Sequence, residues 1–271
     1  MDFEFSEEQR MAIDGARRFA AEKLAPLAAE LDEKAEVNLK GLKELGRLGY
    51  LGMTVPEEFG GSALGAVAYA GSMVEGSKAA AGVAVSMSVQ NSLVNDAILH
   101  FGTDAQKREF LPKLAGGEWI GCFSLTEAGA GSDPAAMRTT AARSGDGFVV
   151  NGTKNFTTNG GIADVIIVFT SGGADGKGNS AFLVKKDAPG FSVGKHEHKM
   201  GIRSSSTTEM VFQDCRLPGS ALLGEEGKGL KIALVTLDGG RIGIAAQAVG
   251  IAEAALDESV RYAKERIQFG K

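Results

Sequence analysis

Leu125-Thr126-Glu127-Ala128-Gly129-Ala130-Gly131-Ser132-Asp133 is the stretch on which the reading of this chain turns. An apolar approach from Ile120 to Leu125, carrying Cys122 and Phe123, runs into Thr126, a Gly-Ala-Gly turn, then Ser132 and Asp133. Closely spaced glycines, Gly131 among them, let the backbone approach a bulky ligand, and consecutive amides in such a turn can form an anion-binding concavity. Ser132 offers a hydroxyl to a phosphate oxygen, and Thr126 can reach a heterocycle. A Gly-rich surface loop would read the same in isolation, so the surroundings decide.

Four further elements stand around it. Asn155-Phe156-Thr157-Thr158-Asn159-Gly160-Gly161 closes a segment that reads as strand, turn, strand: Gly145-Asp146-Gly147, then Phe148-Val149-Val150, then Asn151-Gly152 and Thr153 onward. An aromatic followed by hydroxyls and a glycine pair suits a flat ring held against a strand end. Met200-Gly201-Ile202-Arg203-Ser204-Ser205-Ser206-Thr207-Thr208 enters a strand from Glu209 to Phe212. Leu237-Asp238-Gly239-Gly240-Arg241 lies early in a long helix, and Arg266-Ile267-Gln268-Phe269-Gly270-Lys271 ends the sequence.

In this order and spacing the five elements resemble the acyl-CoA dehydrogenase family, flavoenzymes that desaturate acyl-CoA thioesters. The resemblance extends from Phe5-Ser6-Glu7-Glu8-Gln9 through Val55-Pro56-Glu57-Glu58-Phe59-Gly60-Gly61 to the last residue. The helix from Thr236 to Ala245 looks most like the short-chain, butyryl-CoA type. The fold implied is a multidomain α+β protein: an N-terminal α-helical domain (1–118), a middle antiparallel β domain (119–222), and the first long helix of a C-terminal four-helix bundle (223–271).

Composition and periodicity agree with that outline. At 271 residues and 44% hydrophobic content, the chain can build about two domains. No run of roughly 18 apolar residues appears, so no membrane span is expected. The acidic start, Met1-Asp2-Phe3-Glu4-Phe5, argues against a targeting segment and for a cytoplasmic, bacterial-type location. Cys122 and Cys215 form no disulfide framework or metal spacing and read as small buried hydrophobes. A net charge of −5 leaves no nucleic-acid footprint, so an anionic cofactor must be held by local donors.

Residues 6 to about 118 read as helices, with Ser6 and Thr103 or Asp104 as starts. Short strands follow: Gly121–Leu125, Phe148–Val150, Asp164–Thr170, Ser180–Val184 and Glu209–Phe212, with a polar hairpin tip over Gly172–Asn179. From Gly227 one long helix is expected. Its stretch Ile242–Leu256 is apolar on nearly every face and so predicts burial all round. With no partner helices before Lys271, it suggests a missing C-terminal segment.

What the resemblance implies for chemistry follows residue by residue. Phe123, Leu125 and Thr126 would contact the isoalloxazine of FAD, and Gly131 and Ser132 the pyrophosphate. Ser132 also stands on the substrate side. Phe156 would lie beside the flavin ring, where the family often has tryptophan, and Thr158 near N5; ordinary core packing is the plain alternative for Phe156. Asp238 and Arg241, three apart on one helical face, would line the acyl-pantetheine path; an exposed ion pair is the alternative. Arg266, Gln268 and Phe269 would reach the FAD of a neighbouring subunit, implying a homodimer or homotetramer, unless they are a frayed helix end. The substrate would be an acyl-CoA and the electron acceptor an electron-transferring flavoprotein.

The catalytic glutamate lies in the C-terminal bundle in most members. In a minority it stands one residue before the arginine of Asp-x-x-Arg, here Gly240, so no catalytic residue is named. A non-catalytic flavin- or acyl-CoA-binding remnant, or one chain of a split dehydrogenase, stays open beside the enzyme, as does an acyl-CoA oxidase. His196 and His198, with no third ligand in view, read as a solvated strand edge rather than a metal pair.

Overall fold

Local sequence starts the N-terminal helices where expected. Ser6 accepts from the Gln9 amide at 3.2 Å while the Gln9 side chain accepts from Ser6 N, and Thr103 and Gln106 repeat that capping box. The computed structural model describes residues 4–172 and 178–271; residues 173–177, within the expected hairpin tip, lie outside the described residues. The helices are α1 (Glu7–Phe19), α2 (Ala25–Lys34), α3 (Leu39–Arg47), α4 (Gly65–Ser88), α5 (Asp96–Phe101) and α6 (Asp104–Ala115). A seven-residue π-helical turn, Val89–Asn95, joins α4 to α5.

Among the described residues eight strands follow: β1 (Gly121–Ser124), β2 (Thr140–Ser144), β3 (Gly147–Thr158), β4 (Val165–Ser171), β5 (Asn179–Lys185), β6 (Phe191–His196), β7 (Thr207–Leu217) and β8 (Leu222–Leu223). They form one sheet in the order β6-β7-β3-β2-β4-β5-β8. Its pairings are mostly antiparallel, but β1 runs parallel to β4, Gly121 opposite Val165. The strand expected to stop at Val150 continues to Thr158. Asn151-Gly152 is a bulge where β3 slips against β7, not a turn. Gly152 is needed there: at φ +146° a Cβ would lie 2.7 Å from Thr139 Cα. β2 was not foreseen, since Thr140–Ser144 is largely exposed and carries no apolar alternation.

The last helix, α7 (Gly229–Glu265), packs along α4. Within this chain the apolar stretch Ile242–Leu256 is covered on one face only, against α4. Within that stretch Gly243, Ala246, Gln247 and Gly250 are buried, whereas Ile242, Ile244, Val249, Ile251 and Leu256 are exposed. The reason is close approach: a Cβ at Gly243 would sit 2.1 Å from the Tyr69 hydroxyl, and one at Gly250 2.3 Å from Val74 O. At Gly243 and Gly250 only hydrogen fits, so the helices approach closely there and the large apolar side chains lie on the other faces. By length and a mean hydropathy of 1.3, α7 would also be apolar enough to cross a bilayer. Glycines, Asp238 and Arg241 interrupt its apolar run, so no unbroken apolar stretch of that length stands in the sequence.

Candidate functional site

The decisive loop hangs from β1. That strand is anchored on the π-helical turn: Gly121 N donates to Gln90 Oε1 at 2.8 Å, and Gln90 Nε2 donates to the Leu114 and Trp119 carbonyls at 2.8 and 3.1 Å. The same turn is pinned from behind, with Asn91 Nδ2 donating to Tyr50 O at 2.8 Å and Asn95 Nδ2 to Leu51 O at 2.7 Å. β1 delivers Phe123, whose ring centroid lies 4.6 Å from that of Phe169. Leu125 is buried and Thr126 half-buried; Gly131 and Ser132 are exposed.

The Gly-rich turn is built differently from the expectation. No described residue between Gly117 and Gly145 has a positive φ, so its amides do not alternate as they do in a left-handed nest. Gly129 and Gly131 serve by openness instead: a Cβ on either would meet nothing within 4 Å. Glu127 and Ala130 exchange backbone hydrogen bonds of 3.1 Å across the turn. Asp133 Oδ1 accepts from Ala135 N at 3.2 Å and caps the single helical turn Pro134–Ala136.

Beside this loop runs the far end of β3. Asn155 N donates to Thr126 O at 2.8 Å, and the Ser124 and Thr157 hydroxyls lie 2.9 Å apart. Between these ties β3 bulges, the register slipping between Lys154 and Thr157. Phe156 there takes a left-handed φ of +55° and is 61% exposed, which removes core packing as an explanation for it. The hydroxyls of Thr126, Ser132 and Thr158 make no hydrogen bond among the described residues. The third motif buttresses this end from outside. Arg203 N and Ser204 N donate to Asp32 Oδ1 at 2.6 and 3.1 Å, and Asn159 N donates to Ser206 O at 2.9 Å.

Sequence reading missed the buried ion pair under the loop. Lys154 Nζ, with no exposed surface, lies 2.7 Å from Glu127 Oε1. It also donates to Leu125 O at 3.0 Å. The Glu127 carboxylate accepts from Arg138 N at 2.7 Å and Thr139 N at 2.9 Å. Burial pushes the Glu127 carboxyl up, but the Lys154 ammonium and the two amides outweigh it and hold the group at about 2. The available signal was an acid and a lysine each embedded in a ligand-binding motif, with nothing local to link them.

The other side of the π-helical turn faces α7 across a cleft of about 350 Å³. Ser88, Val89, Ser92, Leu93, Leu237, Gly240, Arg241 and Ile244 line it, and none of these carries a carboxylate. Arg241 Nε lies 3.7 Å from Asp238 Oδ1, with both side chains more than three-quarters exposed. Asp96, on α5, turns toward Gly239 and accepts from Thr54 Oγ1 at 3.0 Å; burial pushes its carboxyl up. Arg266, Gln268 and Phe269 follow the end of α7, are exposed, and meet neither the loop nor the cleft in this chain. His196 ends β6, and among the described residues no group of His, Cys, Asp and Glu could hold a metal.

Comparison with known proteins settles the lineage. Residues 6–118, 122–215 and 227–271 match the N-terminal, middle and C-terminal domains of acyl-CoA dehydrogenase. The chain belongs to the acyl-CoA dehydrogenase family. It is 45% identical, over all its length and 72% of the relative, to the short-chain specific acyl-CoA dehydrogenase of Clostridium acetobutylicum. It is 47% identical to the mitochondrial short-chain specific enzyme of Homo sapiens, over 98% of this chain and 65% of that one. Butyryl-CoA dehydrogenase from Megasphaera elsdenii superimposes with a TM-score of 0.96 at 45% identity, over 100% of this chain and 72% of that one. A glutaryl-CoA dehydrogenase from Mycobacterium smegmatis, in complex with FADH2, gives 0.93 at 38%, over 98% and 68%. A chain from a structure described as the electron transferring flavoprotein of Acidaminococcus fermentans gives 0.97 at 45%, over 100% and 72%. The family is thus an oxidoreductase family, and this chain spans about two thirds to three quarters of such relatives.

Proposed function

We propose that this chain binds FAD and a short acyl-CoA thioester and supplies the binding platform, but not the base, for α,β-dehydrogenation to the 2-enoyl-CoA. One observation carries the reading. The end of β1 and the bulge of β3 are stitched side by side, presenting the unpartnered hydroxyls of Thr126 and Thr158 and the exposed ring of Phe156.

The residues fit the cofactor by their chemistry. The open Gly129–Gly131 turn and Ser132 Oγ suit a pyrophosphate. Phe123, Leu125 and Phe156 offer apolar and aromatic surface to an isoalloxazine. Thr126 and Thr158 have donors to spare for the polar edge of that ring. When bound, FAD supplies the acceptor for the β-hydride.

The chain's own residues do the rest by binding and orienting. Val89, Leu93, Leu237 and Ile244 make the cleft apolar enough to take a short acyl chain and exclude water from it. Arg241, at the same cleft, can pair with the anionic parts of a CoA, and Asp238 lies 3.7 Å from it as an exposed neighbour. The exposure of Arg266, Gln268 and Phe269 supports their use on the FAD of a second subunit, and with it a homo-oligomer. An electron-transferring flavoprotein is the fitting acceptor, and one similar structure is described under such a flavoprotein. One observation supports a binding unit without its own base: Gly240 stands before Arg241, and no carboxylate lines the cleft.

The test is equilibrium binding. The purified chain, reconstituted with FAD and gel-filtered, is expected to retain flavin, and butyryl-CoA to perturb its visible spectrum more than dodecanoyl-CoA at equal concentration. A chain that retains no FAD, or one indifferent to both thioesters, would refute the proposal.

A further inference from the structure

The Lys154–Glu127 pair is buried in the middle domain, with side chains 0% and 9% exposed, and nothing in the binding chemistry above uses it. Two charges withdrawn from water stabilise a protein poorly unless their remaining hydrogen bonds are fully used. Here they are used, and each bond ends on a segment that presents a candidate flavin residue. Lys154 Nζ donates to Leu125 O at 3.0 Å, one residue before Thr126, and faces Met137 Sδ at 3.8 Å. Glu127 Oε1 and Oε2 receive the amides of Thr139 and Arg138. The Glu127 carboxylate therefore ties the two ends of the loop 127–139, which carries Gly131 and Ser132, and the Lys154 ammonium holds that carboxylate against Leu125 O. Without that closure the loop would recover its conformational freedom.

The same lysine sets the strand beside it. Lys154 is the last residue of β3 in register before the bulge. From this fixed point Asn155 N reaches Thr126 O at 2.8 Å and Thr157 Oγ1 meets Ser124 Oγ at 2.9 Å, leaving Phe156 between them at φ +55°. A left-handed phenylalanine persists only where its surroundings over-determine it. The ties on either side of Phe156 do so, and Lys154 anchors them.

We infer that the buried Lys154–Glu127 pair is the positioning element of the flavin platform, holding the Gly-rich loop closed and the Phe156 bulge in register. The inference rests on the functional reading above for what the platform binds. An apolar pair of equal volume could fill the space, but it could not accept two amides and donate to a carbonyl at once.

The experiment compares wild type, Lys154→Met and the double variant E127L/K154M, which leaves no buried charge uncompensated and so keeps the fold if the single variant does not. Two quantities are read. In the flavin-free chain, hydrogen exchange of amides 126–139 and 155–158 should speed up by about tenfold or more, while β4 and β5 keep their protection. In flavin fluorescence titrations, FAD affinity of the folded variant should fall by about tenfold or more. Folded variants with unchanged local exchange and unchanged FAD affinity, whatever their melting temperature, would overturn the proposal and leave the pair as core structure. If the wild type itself binds no FAD, the functional reading fails, while the flavin-free exchange comparison still decides the positioning claim.

Discussion

Phe156 shows how a single residue can work against its own backbone. A non-glycine residue in the left-handed region costs roughly 1–2 kcal/mol, and at 61% exposure the ring recovers little by burial. Glycine would remove that strain but lose about 0.5–1 kcal/mol of chain entropy. F156G is therefore expected to leave the urea midpoint unchanged or slightly raised, while flavin retention falls several-fold. A drop in midpoint without loss of flavin would show that the ring serves the fold. Glu127 makes a second prediction, in pH. Its folded value of about 2 lies below its ordinary value of 4.5. The carboxylate therefore stabilises the fold above about pH 4.5, and this is lost as pH falls toward 2. Melting temperatures of wild type and E127L/K154M should converge across that window, and parallel curves would contradict the assignment.

At the scale of elements, legibility depended on whether the signal was local. Ser6 and Thr103 start helices by hydrogen bonds to residues three positions on, so their caps could be read directly. Phe123 to Ser132 and Phe156 to Thr158 stood out because glycine, hydroxyl and aromatic residues cluster there. The Lys154–Glu127 pair joins positions brought together only by strand pairing, and no spacing rule reaches it. The π-helical turn was equally silent: Gln90, Asn91 and Asn95 are wholly buried polar residues, placed by carbonyls of distant segments. α7 was legible as apolar on nearly every face, but not that its seam against α4 rests on small residues, Gly243, Ala246 and Gly250. Gly250→Ala tests this. Helix propensity alone would stabilise by about 1 kcal/mol, but a methyl 2.3 Å from Val74 O must force the helices apart, costing about 1–3 kcal/mol. The expected sign is a loss in urea denaturation, and a gain would mean the α4–α7 contact is looser than described.

For the whole molecule, the π-helical turn is the joint that gives one body its two faces. It carries β1 and the loop on one side and lines the apolar cleft against α7 on the other. The outward side of α7 leaves Ile242, Val249, Leu256 and Val260 each more than 40% exposed. An apolar strip of this kind marks a contact surface. Sedimentation velocity over a concentration series is expected to show association of the chain, abolished in I242E/V249E; a wild type that stays monomeric throughout would contradict this. Flavin and thioester binding by these residues, without a carboxylate at the cleft, is the central claim. It is tested most directly by anaerobic titration of the FAD-loaded chain with butyryl-CoA, following flavin absorbance. The account predicts retained flavin whose spectrum shifts on binding but does not bleach. Rapid bleaching would contradict it by revealing a base within these residues, and failure to hold FAD would contradict the platform itself.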